Sequence, residues 1–435
     1  MSNTNKAAQD DVVTANVSEE PPPSNERRLF GWERYLLMVV CIGYASFHLI
    51  SLNIYPMETW AYRMIHVAGG LAIGYLLVAA WTTGDLADKT RWITPVEYLP
   101  LLAAAGLGGY AFFCILYAYV AGEAMPKAWV FGTSGWPLVA STVIAILASW
   151  FFKPREQRIA WYDWVLAFNS MTLGGYLVFN VAALQFRAGV MPVQSDFLFS
   201  LAGVLLILEV TRRVAGMALL VIAGIFIAYA YAGPYLPGFL SHTGYRSDRF
   251  FSYLFTDSGI LGATTAVSST YIILFITFAA FLQVSKVGDY FVNFAFAVAG
   301  RARGGPAKVA VFASGLMGMI NGTSAGNVVA TGSLTIPLMK KVGYRPQSAG
   351  AIEAAASTGG QIMPPIMGAG AFIMAEITGI PYTELIVAAL IPACLYFLSI
   401  FFMVDFEAAK MGMRGMKQSE LPQLSRLIRQ AYMFI

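Results

Sequence analysis

The chain has 435 residues, of which 57% are hydrophobic and 12% charged, with a formal net charge of +4. A soluble globular chain carries roughly 25% charged residues, so this composition excludes an ordinary soluble domain, a coiled coil, a disordered chain and a disulfide-stapled secreted domain. The small positive excess forms no basic stripe interleaved with aromatics and gives no nucleic-acid partner.

Residues 1–30 are polar, with Pro21, Pro22 and Pro23 among the acids Asp10, Asp11, Glu19 and Glu20. They lack a signal-peptide pattern and too few are apolar to build a core, so a disordered cytoplasmic tail is expected. Beyond it, apolar blocks of bilayer-crossing length follow one another. Spans are expected near 35–54, 64–83, 97–120, 135–152, 161–183, 196–211, 214–235, 264–287, 348–377 and 384–404. The fold class is therefore an all-α polytopic membrane protein with about ten transmembrane helices, lying in membrane lipid. Arg212-Arg213 mark a tight turn after the short 196–211 segment. Between 241 and 262, Phe250, Phe251, Leu254 and Phe255 recur at helical spacing and predict a surface-lying amphipathic helix.

Lysine and arginine bias sets orientation. With the N-terminus inside, 22 of the 28 basic residues fall on the inner side. Arg63, Lys127, Arg187, Arg246 and Arg249 fall outside, and Lys286 lies at a membrane edge. This sorting predicts an even number of crossings with both ends inside.

The apolar segment 309–339 lies between two basic loops assigned to the same side. It is too short for two full crossings, which predicts a re-entrant helical hairpin, tolerated at membrane depth only where it is buried in protein or lines a cavity. Its centre reads Met319-Ile320-Asn321-Gly322-Thr323-Ser324-Ala325-Gly326-Asn327. Gly, Ser, Thr and Asn at that density weaken the helix and free backbone groups. Carbonyl, hydroxyl and amide oxygens suit a hard monovalent cation, and helix N-termini suit a carboxylate. The alternative is close helix packing through small residues. A second break is expected within 348–377, at Ser357-Thr358-Gly359-Gly360-Gln361-Ile362-Met363-Pro364-Pro365-Ile366-Met367-Gly368. Pro364 removes a donor and pushes the residue before it out of the helical region, exposing carbonyls around 358–363. A simple proline kink is the alternative. Secondary transporters build ion and substrate sites from such broken helices.

Among ionisable groups at membrane depth, Glu353 can face the bundle interior, and Glu376 lies deep or near the outer interface. Glu209 is expected in an edge salt bridge with Arg212 and Arg213. Asp163, between Trp161, Tyr162 and Trp164, is expected as a helix cap or interfacial anchor. His48 and His66 have no second ligand in sight and are expected to be structural. Cys41, Cys114 and Cys394 all fall in apolar blocks without metal-ligand spacing. There is no Walker A motif and no enzyme signature; no cofactor is expected.

The run from Arg303 to Pro381 resembles the fused permeases of tripartite ATP-independent periplasmic (TRAP) transporters, especially those paired with TAXI-type binding proteins. The resemblance rests on Gly304-Gly305-Pro306-Ala307-Lys308, on Gly322 through Ser333, on Ile336-Pro337-Leu338-Met339-Lys340-Lys341, on Gly343-Tyr344-Arg345-Pro346 and on Ser357 through Gly370. Further matches are Trp161-Tyr162-Asp163-Trp164, Glu209-Val210-Thr211-Arg212-Arg213, Gly233 through Gly238 and Phe402-Met403-Val404-Asp405. It implies a sodium-coupled secondary transporter of the bacterial inner membrane that receives a small organic-acid solute from an extracytoplasmic TAXI-type solute-binding protein. It implies an elevator motion, with 31–240 similar to the small-permease scaffold and 241–435 similar to the first half of the large-permease transport domain, carrying the 309–339 hairpin. The implied ion- and substrate-binding residues are Gly322, Thr323, Ser324, Asn327, Thr358, Gly359, Gly360, Met363 and Pro364, with Na+ at Ser324, Asn327 and Gly359.

The helices near 97–120 and 135–152 are additional to the family pattern. One of the family's two inverted halves is present, and Tyr432-Met433-Phe434-Ile435 resembles the start of another span, so a fragment of a longer permease is expected. The competing reading is a non-transporting membrane scaffold or assembly subunit, which forms complexes without binding an ion. A membrane-embedded enzyme would need a converging acid–base pair, which Glu353 and isolated histidines do not supply.

Overall fold

The computed structural model describes residues 25–82, 95–121, 128–153, 158–416 and 421–431. Outside them lie most of the expected tail, the loop holding Lys89 and Arg91, and the span expected from Tyr432. Among the described residues every regular element is helical, apart from one isolated β-bridge between Glu26 and Val78.

The chain packs as two compact units, one of Met1–Ile42 with Met64–Thr256 and the other of Gly43–Arg63 with Asp257–Ile435. Helices α1 (Gly31–Asn53) and α2 (Thr59–Leu77) contribute to both. The first unit adds α3 (Pro95–Val120), α4 (Ala128–Phe151), α5 (Trp161–Phe179), α6 (Val181–Arg187), α7 (Gln194–Ala215), α8 (Met217–Ala232) and α9 (Ser247–Leu254). The second adds α10 (Ala263–Val284), α11 (Val287–Ala299), α12 (Gly305–Asn321), α13 (Ser324–Lys341), α14 (Pro346–Gly359), α15 (Ala369–Thr378), α16 (Tyr382–Lys410) and α17 (Leu424–Ala431).

Among the described residues, six helices are long and apolar enough to cross a membrane: α1, α3, α4, α8, α10 and α16. A seventh forms if α5 and α6, bent by 74° at Asn180, count as one span. The chain is a multi-pass membrane protein. The apolar residues exposed along α1, α8 and α16 include Val39, Ile42, Ile225, Phe226, Val387 and Ile391. Such wide exposure is costly in water and costs nothing in hydrocarbon.

Several boundaries differ from the sequence reading. The helix expected at 196–211 runs on through Arg212-Arg213 to Ala215, and the turn falls at Gly216 with φ +79°. Both arginines are held by acids (below), so their charge does not end the helix. The span expected at 161–183 bends after Phe179. Residues 287–299, to which the sequence reading assigns no span, form α11, whose apolar run is shorter than a bilayer crossing. The segment read as a tail ends in packed residues: the Arg27 N–H donates to the Leu77 carbonyl, the Ala79 N–H donates to the Asn25 carbonyl, and Leu29 is buried. The amphipathic helix expected within 241–262 is α9, where Ser252 accepts from the Gly189 N–H at 3.2 Å and Phe251 packs on Phe197.

Candidate functional site

The site lies in the second unit, where the tip of the α12–α13 hairpin meets the interruption between α14 and α15. Gly304 enters α12 in the left-handed region (φ +66°), and Pro306 occupies the first turn, a position that needs no N–H donor. The helix ends at Gly322, with φ +60°. A Cβ there would overlap the Met367 carbonyl oxygen, so glycine is required for both conformation and space. Thr323 is extended and caps α13, its hydroxyl accepting from the Gly326 N–H at 3.3 Å, the ordinary task of an N-cap threonine.

The interruption covers 360–368. The amides of Gly360, Gln361 and Ile362 tighten the end of α14 onto the carbonyls of Ser357, Thr358 and Gly359, each at 3.1 Å. A cis Pro364–Pro365 bond and a left-handed Met367 (φ +57°) follow. The Gly368 N–H closes the loop onto the Gln361 carbonyl at 2.7 Å. The Tyr382 hydroxyl of α16 lies 2.7 Å from the Pro365 carbonyl and 2.5 Å from that of Ile366. The interruption falls within the expected run 357–368, but the carbonyls of Thr358, Gly359 and Gln361, expected to be exposed, accept these bonds because 3₁₀-type closure satisfies the helix end.

Two close approaches and one hydrogen bond join tip to break. A Cβ on Gly360 would stand 2.7 Å from the Gly318 Cα and 2.9 Å from the Asn327 Nδ2. Gly322 lies against Met367. Gln361 Nε2 donates to Ser324 Oγ at 3.2 Å. Gly322, Ser324, Asn327 and Gly360 are thereby brought together. Gly359 packs beneath Tyr396 and Phe397, each of which leaves less than 2.8 Å for an added Cβ. Thr358 is exposed, with its hydroxyl on the Ala354 carbonyl. Met363 lines an apolar groove of about 340 Å³ between α12 and α16, with Phe312, Met319, Cys394 and Phe401. Pro364 is buried in the break. Thr358 and Met363 thus stand apart from the tip.

Asn327 is fully buried. Its Nδ2 donates to the Ser314 carbonyl at 2.8 Å, and its own carbonyl accepts from Thr331 Oγ1 at 2.9 Å. Its Oδ1, like that of Asn321, is buried with no hydrogen-bond partner among the described residues. A buried acceptor left unpaired costs about 1–3 kcal/mol and is satisfied by a donor or a cation. No group of three His, Cys, Asp or Glu that could hold a metal occurs among the described residues. The oxygen donors present fit a hard cation rather than a transition metal.

Sequence reasoning placed Glu353 toward the bundle interior without its partners. The side chain is fully buried. Oε1 accepts from Ser314 Oγ at 2.9 Å, from Ser357 Oγ at 3.1 Å and from Thr331 Oγ1, while Oε2 accepts from Thr335 Oγ1 at 2.5 Å. Gly332 makes room for it, since a Cβ there would lie 3.0 Å from the Glu353 Cγ. The signal was present as Asn327, Thr331 and Thr335 at i, i+4, i+8, and Glu353 and Ser357 at i, i+4, spacings that place each set on one helix face.

The first unit holds a buried ion network. Asp163 pairs with Arg27 and, at 2.6 Å, with Arg213. Glu209 binds Arg213 and Arg212, each at 2.8 Å, and accepts from Ser149 and Trp150. Glu209 is in the expected salt bridge. Asp163 is a fully buried pairing group rather than a cap or interfacial anchor. Its partners lie 136 and 50 residues away, beyond the reach of local pattern. His48 is buried among Tyr44, Phe47 and Tyr62, with Nδ1 2.7 Å from the Tyr44 carbonyl, a structural placement. Glu376 is exposed.

Comparison with known proteins gives this architecture its family. Residues 202–435 match the family described as the tripartite ATP-independent periplasmic transporter, DctM component. The helical membrane fold and this match over more than half of the chain place it in a transporter family, which is not an enzyme family. The chain belongs to the DctM family of TRAP transporters. It is 35% identical over 91 residues to the C4-dicarboxylate TRAP transporter large permease protein DctM of Vibrio cholerae and 34% identical over 122 residues to that of Pseudomonas aeruginosa. It is 30% identical over 112 residues to the uncharacterized protein y4mL of Sinorhizobium fredii. These matches cover 21%, 28% and 26% of this chain and 20%, 28% and 26% of the relatives, so the chain spans about a quarter of the length of the curated relatives it matches.

Proposed function

We propose that the chain forms part of the permease of a sodium-coupled, binding-protein-dependent secondary transporter that imports an organic-acid solute. In this reading it crosses the bacterial inner membrane about ten times with its N-terminus in the cytoplasm. The α12–α13 hairpin is re-entrant, and 241–435 is one half of an elevator-type transport domain beside a scaffold formed by 31–240. The solute arrives on an extracytoplasmic binding protein of the TAXI type. The C4-dicarboxylate names of two relatives support the organic-acid class.

One observation carries the reading: two helix interruptions meet at a buried polar core in which the Asn321 and Asn327 amide oxygens have no partner among the described residues. Na+ bound there would supply positive charge beside the carboxylate solute. Asn327 and Ser324, with backbone carbonyls near Gly359, would hold it. Gly322 and Gly360 let the two breaks approach, and the Ser324–Gln361 bond orients the tip.

The test is uptake by the full-length gene product, reconstituted in liposomes with its binding protein, under an inward Na+ gradient. Uptake of a labelled dicarboxylate is expected to follow Na+ and to fall on Asn327→Ala. Na+-independent complex formation without uptake across a panel of organic acids would support a scaffold subunit instead.

A further inference from the structure

We infer that Glu353 carries the fixed negative charge that the coupling cation neutralises at this site. The inference deepens the proposed function and rests on it for the site's location. The shared chemistry is that of a small monovalent cation, Na+ or a proton.

The first argument is the carboxylate's surroundings. Four neutral hydroxyls, those of Ser314, Thr331, Thr335 and Ser357, meet the two oxygens, and all five side chains are fully buried. A buried charge costs several kcal/mol unless it is compensated, and hydroxyl dipoles offset only part of that. The charged groups on the elements packed against α14 are engaged or placed elsewhere. Lys308 of α12 pairs with Asp405 of α16 at 2.5 Å, as does Arg303. Lys340 and Lys341 are exposed at the end of α13, Lys410 is exposed at the end of α16, and Glu384 and Glu407 of α16 are acids that add no positive charge. Glu353 is the sole ionisable residue of α14.

The second argument is the link to the tip. Ser314 and Thr331 both donate to Glu353, and the same two residues hold Asn327: its Nδ2 on the Ser314 carbonyl, its carbonyl on the Thr331 hydroxyl. The unpartnered Asn327 Oδ1 and the acid therefore hang from one pair of residues. Acceptor oxygens beside a buried carboxylate attract a cation and repel the solute's own carboxylate.

The third argument is that the hydroxyls can serve two charge states. Thr331 Oγ1 lies within reach of both its i−4 carbonyl and Glu353. Thr335 Oγ1 has the same choice, with the Thr331 carbonyl at 3.0 Å. Each hydroxyl has one proton. It turns to the carboxylate when that is bare and back to its own helix when a cation compensates the charge. Glu353 thus acts through these hydroxyls as a charge-supplying and positioning residue.

The experiment uses the full-length protein in lipid nanodiscs and compares wild type with Glu353→Gln. The unfolding midpoint is titrated with NaCl against choline chloride, and infrared spectra are recorded for the protonated-carboxyl band across pH. Glu353→Gln preserves shape and removes charge. Its Na+-free midpoint is expected to rise, because the uncompensated charge is gone, while the Na+ concentration at which NaCl begins to raise the midpoint increases about tenfold or more.

A wild type without a Na+ response, but with a protonated-carboxyl band that Glu353→Gln abolishes, makes the cation a proton; the sodium reading then fails and this inference holds. A variant that matches wild type in both readouts overturns the inference, as does a wild type lacking both signals. Should Glu353→Gln fail to fold, Thr335→Val and Ser357→Ala remove donors and leave the charge. A shifted Na+ midpoint or carboxyl band in them supports the inference, and unchanged values in both overturn it.

Discussion

Gly318 and Gly360 meet backbone to backbone: a Cβ on Gly360 would stand 2.7 Å from the Gly318 Cα, and one on Gly318 would overlap the Gly360 backbone. Gly318→Ala is therefore expected to destabilise by roughly 1–3 kcal/mol, the usual cost of overpacking against atoms that cannot swing away. Gly350→Ala is the control, because nothing lies within 4 Å of a Cβ there and alanine favours a helix interior by up to about 1 kcal/mol. Thermal unfolding of the two variants should give shifts of opposite sign.

Tyr382→Phe removes one hydroxyl from two carbonyls of the break, those of Pro365 and Ile366. The ring stays stacked on Phe372, whose centroid is 4.5 Å away. The loss should be about 1 kcal/mol. It should be read as faster amide exchange at Ile366, Met367 and Gly368, with little change in α12.

Asp163→Ala should be far more damaging, since it leaves Arg27 and Arg213 buried without their shared carboxylate. Removing one partner of a buried pair costs about 3–5 kcal/mol. Asp163→Asn keeps the shape and loses the charge, so it is expected to fall between wild type and alanine in unfolding midpoint and membrane yield. Equal stability of all three would show that the network contributes nothing to the fold.

Thr323→Ala removes the N-cap of α13, for a loss near 1 kcal/mol. Thr323→Ser keeps the hydroxyl that accepts from Gly326 and should recover most of it. If the threonine were instead an ion ligand, serine and alanine would separate in Na+ dependence rather than in Na+-free stability.

The two interruptions were legible in the sequence because Gly322-Thr323 and Gly359-Gly360 with Pro364-Pro365 act on the backbone locally. The amphipathic α9 was legible from phenylalanine spacing. α11 and α17 are not legible because helices of 13 and 8 residues are shorter than the bilayer-length apolar blocks that mark spans. The partners of Asp163 and the hydroxyl ring around Glu353 depend on which helices pack together, and residue spacing fixes a face of a helix without saying what it meets. Thr323 and Thr358 show the converse. Both are polar residues at a break, yet each satisfies its own helix, one by capping α13 and the other by bonding back to Ala354.

The three free cysteines differ in accessibility: Cys114 is buried, Cys41 half-buried and Cys394 exposed. Cys394 lies in the apolar groove with Met363, Phe397 and Phe401. The native chain thus carries its own attachment point for a spin label or fluorophore beside the break. Cys41→Ser with Cys114→Ala would leave a single-label chain in which movement beside the break can be followed spectroscopically, without altering a residue of the α12–α13 tip.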